Sequence, residues 1–292
     1  MHGADKSPVL LVGASGRVGR MVMHHWPQVS DSLPMLAQFR RSTTRSDCLI
    51  WDPLTGPEAL LDAVSATGGF SAMIMLAGVT PGPGKNLALN RTLAEACLDA
   101  ASRAGIGRVL LASSSAVYGA GAGTPLAETA SCDPANAYGA AKLAMEEACM
   151  SWRARGIDLC MLRIGNVAGA DALLLNVAKS APDQAIEIDI FDDGRGPVRS
   201  YIGVRTLASV LRSLCLHPDQ LPAVVNIGTR EPVSMDALAD AAHHPWLKRS
   251  PTGPTPQSIT LDCSLLSTMH EFNTLDSRPD EMVRQWKETL EP

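Results

Sequence analysis

A chain of 292 residues can bury a substantial core, either as one large domain or as a domain with a lobe. Its composition, 46% apolar and 19% charged, is that of a globular protein, and a net charge of −5 with no basic tract argues against nucleic acid as a partner. The longest apolar run, near Ala72–Val79, falls well short of the ~18 residues of a membrane span, residues 1–16 do not read as a signal peptide, and the seven cysteines make no CxxC or metal-ligand spacing. A cytoplasmic chain with reduced thiols, no membrane contact and no metal is expected.

Pro8-Val9-Leu10-Leu11-Val12 is a continuous apolar run, as expected of a strand buried on both faces of a parallel sheet. It leads into Gly13-Ala14-Ser15-Gly16-Arg17-Val18-Gly19 and then into helical material from Arg20 to about Trp26. Strand, glycine turn and helix N-terminus together make an anion site, because free backbone N–H groups and the helix dipole face a phosphate. Gly13, Ser15, Gly16, Arg17, Val18 and Gly19 are therefore candidates for a dinucleotide's pyrophosphate, with spacing GxxGxxG in place of GxGxxG. An ordinary βα turn is the alternative, and the preceding strand weighs against it. A second strand, Met35–Phe39, ends at Arg40-Arg41, and no carboxylate lies between Asp31 and Asp47 to accept ribose hydroxyls. Arg40 and Arg41, with Arg17, could hold a 2′-phosphate, so NADP is expected in preference to NAD; a solvated loop is the other reading.

Cys48–Trp51 reads as the third strand, with Asp52 near an adenine edge, and Ser71–Leu76 as the fourth, with Leu76, Ala77 and Gly78 lining the dinucleotide cleft. After a Pro/Gly loop, a helix from about Lys85 to Ala104 carries Asn90 on its first turns and stops at Gly105. Strand five, Arg108–Ala112, delivers Ser113-Ser114-Ser115 to its C-terminal end, the edge where open α/β sheets bind ligands. Serines there can also simply satisfy backbone groups. The loop Gly119–Ala137 then leads to Tyr138-Gly-Ala-Ala-Lys142, on a helix running to about Arg155. Residues four apart share a helix face. Moving a phenol from a pKa of about 10 to about 7 takes roughly 4 kcal/mol, and an ammonium ~4 Å away supplies that order of energy. Strand six, Asp158–Arg163, continues into Ile164–Gly169. Strands alternating with helices define an α/β fold, a doubly wound parallel Rossmann sheet with right-handed crossovers.

Beyond Gly169 the pattern is less regular. Ala170–Lys179, Arg205–Leu216, Val233–Ala242 and Pro279–Leu290 read as helices, Val198–Val204 and Val224–Ile227 as strands, and Pro251–Pro256 as a loop. The expected division is a dinucleotide-binding domain over 7–169, with a returning segment near 198–217, and a smaller C-terminal substrate lobe from 170–197 and 218–292.

Taken together, these motifs resemble the extended short-chain dehydrogenase/reductases, the NAD(P)-dependent epimerase/dehydratase family, over nearly the whole chain. Gly13-x-x-Gly16-x-x-Gly19 matches the cofactor loop, Ser113 to Gly119 the serine strand, Tyr138-x-x-x-Lys142 the catalytic pair, and Arg163 to Gly169 the segment after strand six. Asp193-Gly194 through Arg199-Ser200-Tyr201-Ile202 resembles a segment that contacts a substrate phosphate, and Val225 to Thr229 a strand of the substrate lobe. The resemblance implies Tyr138 as acid/base, Lys142 holding the nicotinamide ribose and lowering the tyrosine pKa, and Ser114 bonding the reacting oxygen, a duty that Ser113 or Ser115 could share. It implies Asn90 ordering the lysine side, with Ser115, Asn166 and Arg199 facing a carbohydrate-like substrate. It also implies a homodimer, in which helices 85–104 and 138–155 could pair. The chain departs from the family pattern in four places: Val12 replaces a threonine, Ser115-Ala116 an Asp-Glu pair, Gly203 a histidine, and Pro251–Asp262 holds no second arginine. The expected activity is hydride transfer at a sugar or sugar-nucleotide hydroxyl or carbonyl, as an epimerase or as a reductase, without 4,6-dehydration. A reductase of a small non-nucleotide carbonyl and a non-catalytic dinucleotide sensor are the alternatives.

Overall fold

Alternate residues of β1 (Val9–Val12) belong to opposite cores, Val9 and Leu11 to one face of the sheet and Leu10 and Val12 to the other. This two-sided burial explains why the strand reads as an unbroken apolar run. The computed structural model describes residues 7–29, 33–121, 123–253 and 256–290, so Asp31 and positions 122, 254 and 255 of the expected loops lie outside the described residues. β1 joins β2 (Met35–Phe39), β3 (Cys48–Ile50), β4 (Ala72–Met75), β5 (Arg108–Ala112) and β6 (Asp158–Ile164) in one parallel sheet. The order reverses at β1, which has β2 on one side and β4 on the other. That reversal opens a crevice at the C-terminal strand ends, where α/β sheets take their ligands.

Helices cover both faces. On one, α1 (Arg17–Val29) packs against α6 (Val204–Cys215); on the other, α3 (Leu89–Arg103) packs against α4 (Ala137–Cys149), with α2 (Glu58–Thr67) nearby. α1 begins at Arg17, directly behind the glycine turn, and α4 gives way after Cys149 to a 3-10 turn ending at Gly156. Gly105 lies just past α3 with φ +70°, the left-handed conformation expected of a stop.

The chain beyond β6 corrects two expectations. Residues 198–204 are not one strand. Ser200 breaks them into β9 (Val198–Arg199), which pairs with β12 (Val233–Ser234) and β14 (Ser258–Ile259), and β10 (Tyr201–Ile202), which pairs with β7 (Asn166–Val167). Buried Ser200 serves both sides, its hydroxyl accepting from Leu261 N at 2.8 Å and its carbonyl from Asn166 N at 2.8 Å. Second, β11 (Val224–Ile227), expected in the lobe, pairs with β6 and becomes the seventh, outermost strand of the main sheet. Residues 218–292 are thus not all lobe. The rest comprises α5 (Ala172–Lys179), β8 (Ile186–Asp189) paired with β13 (Trp246–Arg249), α7 (Met235–Ala242), α8 (Ser264–Ser267) and α9 (Pro279–Glu288).

Candidate active site

The glycine turn is a cradle built without room for side chains. Gly13 has φ +93°, and a Cβ there would lie 2.5 Å from Ala77 N; a Cβ on Gly19 would lie 2.3 Å from Gly13 O. Gln38, buried at the end of β2, holds the turn by accepting from Gly13 N at 2.9 Å while its own amide donates to Trp51 O. The sequence reading passed over Gln38; a polar residue next to the last position of a buried strand was the available signal. The amides of Ser15, Arg17 and Val18 have no acceptor among the described residues and stand at the positive end of α1, where an anionic phosphate is stabilised. A pyrophosphate fits this cradle.

A crevice of about 250 Å³ runs from the cradle toward β3, lined by Gly13, Ser15, Gly16, Arg40, Asp52, Leu76, Ala77 and Gly78 among others. Of the two arginines expected at a 2′-phosphate, Arg40 lines this crevice and Arg41 does not. Arg17 is committed elsewhere, donating to Ala170 O at 2.9 Å. Asp52 stays on the crevice wall but spends a carboxylate oxygen capping the 3-10 turn at Leu54 N, 3.1 Å away. Asn90 is buried behind the lining. Its side chain clamps Val79 through both backbone groups, at 2.9 and 3.0 Å. Gly78 is wedged between Asn90 and the lysine: a Cβ there would meet Asn90 Oδ1 at 2.9 Å and Lys142 Nζ at 3.4 Å.

A second cavity, of about 310 Å³, gathers Val18, Ser114, Tyr138, Lys142 and Asn166 at the strand ends. Asn136 caps α4 through Gly139 N at 2.9 Å, and Gly139 lets the helix touch the 3-10 turn Ser115–Tyr118, since a Cβ there would lie 2.3 Å from Ala116 O. This contact sets Tyr138 beside Ser114 in the same cavity. Burial raises the Tyr138 pKa above its ordinary value and the neighbouring Ser114 hydroxyl offsets part of that; Lys142 is not among the groups that move it. The expected lowering by Lys142 is therefore not seen here, because Nζ is turned to Ala112 O at 2.8 Å and to Met145 Sδ at 3.9 Å. Burial pushes the Lys142 ammonium down to about 8, with Glu146 acting against the shift.

The three serines separate by role. Ser113 donates to Glu146, which is held by Arg163 at 2.8 Å in a buried ion pair, and Arg163 lies over the Tyr118 ring at 4.7 Å. Ser114 faces the cavity of the phenol. Ser115 lines a third cavity, of about 330 Å³, together with Ser114, Asn136, Asn166 and Arg199. Asn166 stands at the junction of the two cavities, and behind it lies the buried Tyr201 phenol, whose O–H donates to Asp171 Oδ2 at 3.2 Å. Asp171 also caps α5 through Leu173 N at 3.0 Å, yet burial holds its carboxyl above the usual range. Asp171 was not expected at the site, its signal being an aspartate that opens a helix directly after the Gly169 turn; Tyr201 lies in the segment expected near a substrate phosphate, without a role of its own.

A glycine cradle, a Tyr-x-x-x-Lys pair and a serine at one sheet edge agree with the comparison of the chain with known proteins: residues 9–228 match the model of the NAD dependent epimerase/dehydratase family. The chain belongs to this family. A UDP-glucose 4-epimerase of Azospirillum brasilense is 31% identical over 241 residues, covering 72% of this chain and 68% of that protein. One from Lactobacillus helveticus is 27% identical, covering 65% of this chain and 66% of that protein. Among solved structures, UDP-glucose 4-epimerase from Brucella ovis in complex with NAD superposes with a TM-score of 0.78 at 21% identity, covering 96% of this chain and 97% of that one. The Stenotrophomonas enzyme with bound NAD and formylated UDP-arabinopyranose gives 0.76 at 20% identity, covering 96% and 98%. As a family member the chain is a nicotinamide-dinucleotide-dependent enzyme. Among the described residues no helix is long and apolar enough to cross a membrane.

Proposed function

We propose that the protein catalyses NAD-linked oxidation and reduction at a hydroxyl-bearing carbon of a carbohydrate-like substrate, with Tyr138 exchanging the proton. The observation that carries this reading is the meeting of Ser114, Tyr138 and Lys142 in one cavity beside the glycine cradle. Gly13, Gly16 and Gly19 would admit the pyrophosphate, and Leu76, Ala77 and Gly78 would flank the dinucleotide. A nicotinamide bound there would supply the hydride acceptor and donor. Ser114 would orient the substrate oxygen toward the phenol, and Lys142, bonded to Ala112 O in this structure, would hold the nicotinamide ribose and bring its positive charge to that side of the cavity. Because burial favours the neutral phenol, Tyr138 is set to act as the acid in the reductive half and needs the charge of Lys142 to act as the base in the oxidative half.

That the curated relatives are UDP-glucose 4-epimerases supports epimerisation, oxidation followed by re-reduction on a retained cofactor. NAD is taken as the cofactor on the solved relatives, and the NADP expectation now rests on Arg40 alone. A homodimer is proposed through α3 and α4, near which Leu89 and Met150 are exposed, and light scattering tests it. The decisive experiment is Tyr138→Phe. Turnover should fall at least ~100-fold, the usual range of acid–base catalysis, while NAD affinity stays within twofold or so; near-normal turnover would refute the assignment.

A further inference from the structure

Resting on that reading, we propose that Glu146 is a positioning residue for the reaction: its buried carboxylate keeps the Lys142 ammonium charged in the cavity of Tyr138. Glu146 stands four residues after Lys142 on α4, so the two share one face of the helix. Glu146 is 3% exposed and Lys142 4%, and charges so placed are little screened by water or salt. The carboxylate is held from the sheet through both of its oxygens. From β6, Arg163 grips it as a fork, Nη2 donating to Oε2 at 2.8 Å and Nε to both oxygens at 3.2 Å. From the end of β5, the Ser113 hydroxyl donates to Oε1. The residue before it supplies Ala112 O, which accepts from Lys142 Nζ at 2.8 Å. Carboxylate and ammonium are thus tied to neighbouring residues of one strand end.

A buried ion pair is weak evidence for stability, since apolar residues of similar volume often serve as well or better. Beside this site the charge has a use. Burial drives the Lys142 ammonium toward its neutral form, Glu146 is the leading group that opposes the drift, and Arg163 is not among the groups that act on Lys142. With a pKa of about 8, Lys142 is about nine-tenths charged at pH 7. One unit lower it would be about half charged, and the base form of Tyr138 would lose its counter-charge in proportion.

The other ionisable groups around the ammonium offer no substitute. Burial pushes the Cys149 thiol of α4 up to about 12 and raises Cys97 of α3 as well, so both are neutral near pH 7. Tyr138 is a neutral phenol there, again through burial. Asp171 lines the same cavity but is spent on the amides of Gly169, Leu173 and Leu174 and on the Tyr201 O–H. Arg91 and Glu95 of α3 pair with each other at 3.3 Å on the solvent side.

The test is an NMR titration of the lysine Cε resonances in the full chain, with the Lys142 signal assigned by its loss in Lys142→Met. Glu146→Gln, which keeps the shape and an acceptor for Ser113, should lower the Lys142 midpoint by about one pH unit. Arg163→Lys disturbs the same bonds but leaves the charge on Glu146, so its melting temperature should fall while the Lys142 midpoint stays that of the parent. Glu146→Gln leaves Arg163 unpaired; should that variant fail to fold, the double variant Glu146→Gln with Arg163→Met removes both buried charges together and should show the same lowered midpoint. An unmoved midpoint in the variants that lack the carboxylate overturns the proposal. So does an equal fall in Arg163→Lys, which would assign the effect to packing. Turnover in Tyr138→Phe is a separate readout, so a failure of the acid–base assignment is distinguishable from a failure here.

Discussion

Lys142 is the clearest case of a side chain placed against its own solvation. Its folded pKa, about 8, is below the ordinary 10.5, so between those values the unfolded chain binds the extra proton and stability rises with pH. The penalty is present in full below pH 8, is of order 3 kcal/mol, and fades as pH approaches 10.5. Lys142→Met should therefore abolish turnover yet raise the melting temperature at pH 7, with a gain that shrinks by pH 10; a gain independent of pH would assign the effect to packing. Asn166 makes a similar point about support. Tyr201→Phe removes the O–H that bonds Asp171 and the phenol oxygen that lies beside Asn166. Its expected signature is a KM for substrate raised several-fold with NAD affinity unchanged, and an unchanged KM would show that Asn166 needs no such anchor. Arg40→Ala should leave NAD binding intact; a protein that prefers NADP and loses that preference on this change would reassign Arg40 to a 2′-phosphate.

Helix α4 brings its tyrosine to the serine turn only because two residues allow the approach. Asn136 caps the helix, and Gly139 lets its first turn rest on Ala116 O. Gly139→Ala inserts a methyl where 2.3 Å is available, so the helix must withdraw from the Ser115–Tyr118 turn. Tyr138 should move away from Ser114 and turnover should drop by an order of magnitude or more, while the glycine cradle, on a different element, still binds NAD. Loss of both together would mean that the helix had failed to fold. The opposite arrangement holds at α6, where Arg108 closes the C-terminal end by donating to Leu214 O and Cys215 O at 3.1 Å, a cation where the helix dipole favours one.

The two halves read from the sequence are joined more closely than a domain and a lobe. β11 completes the main sheet, and α9 returns to the first half, where Gln285 Oε1 accepts from Arg205 N and Thr206 N at the start of α6, at 3.0 and 3.1 Å. The Gln285 carbonyl is met by His25 of α1 at 2.9 Å, and Trp286 packs so closely on Gly169 that a Cβ there would lie 2.1 Å from its ring. A single cooperative unfolding transition is expected, with calorimetric and van't Hoff enthalpies equal. Two resolved transitions would restore the lobe as an independent unit.

Much of the molecule was legible in residue order, for a physical reason. Strands buried on both faces must be apolar throughout, a phosphate cradle must be glycine, and a phenol and an ammonium four residues apart on a helix must share a face, so β1 to β6, the glycine turn and the Tyr138–Lys142 pair could be read without coordinates. What the tertiary structure decided depends on which distant groups compete for the same atoms. The Lys142 ammonium shares the cavity of the phenol but is turned to the Ala112 carbonyl, a bond set by β5, thirty residues earlier. Ser113, Ser114 and Ser115 are identical in sequence and differ only in facing Glu146, Tyr138 and the Arg199 cavity. Val224–Ile227 suits either a lobe or a sheet edge, and the exposed hydrogen-bonding edge of β6 chose between them.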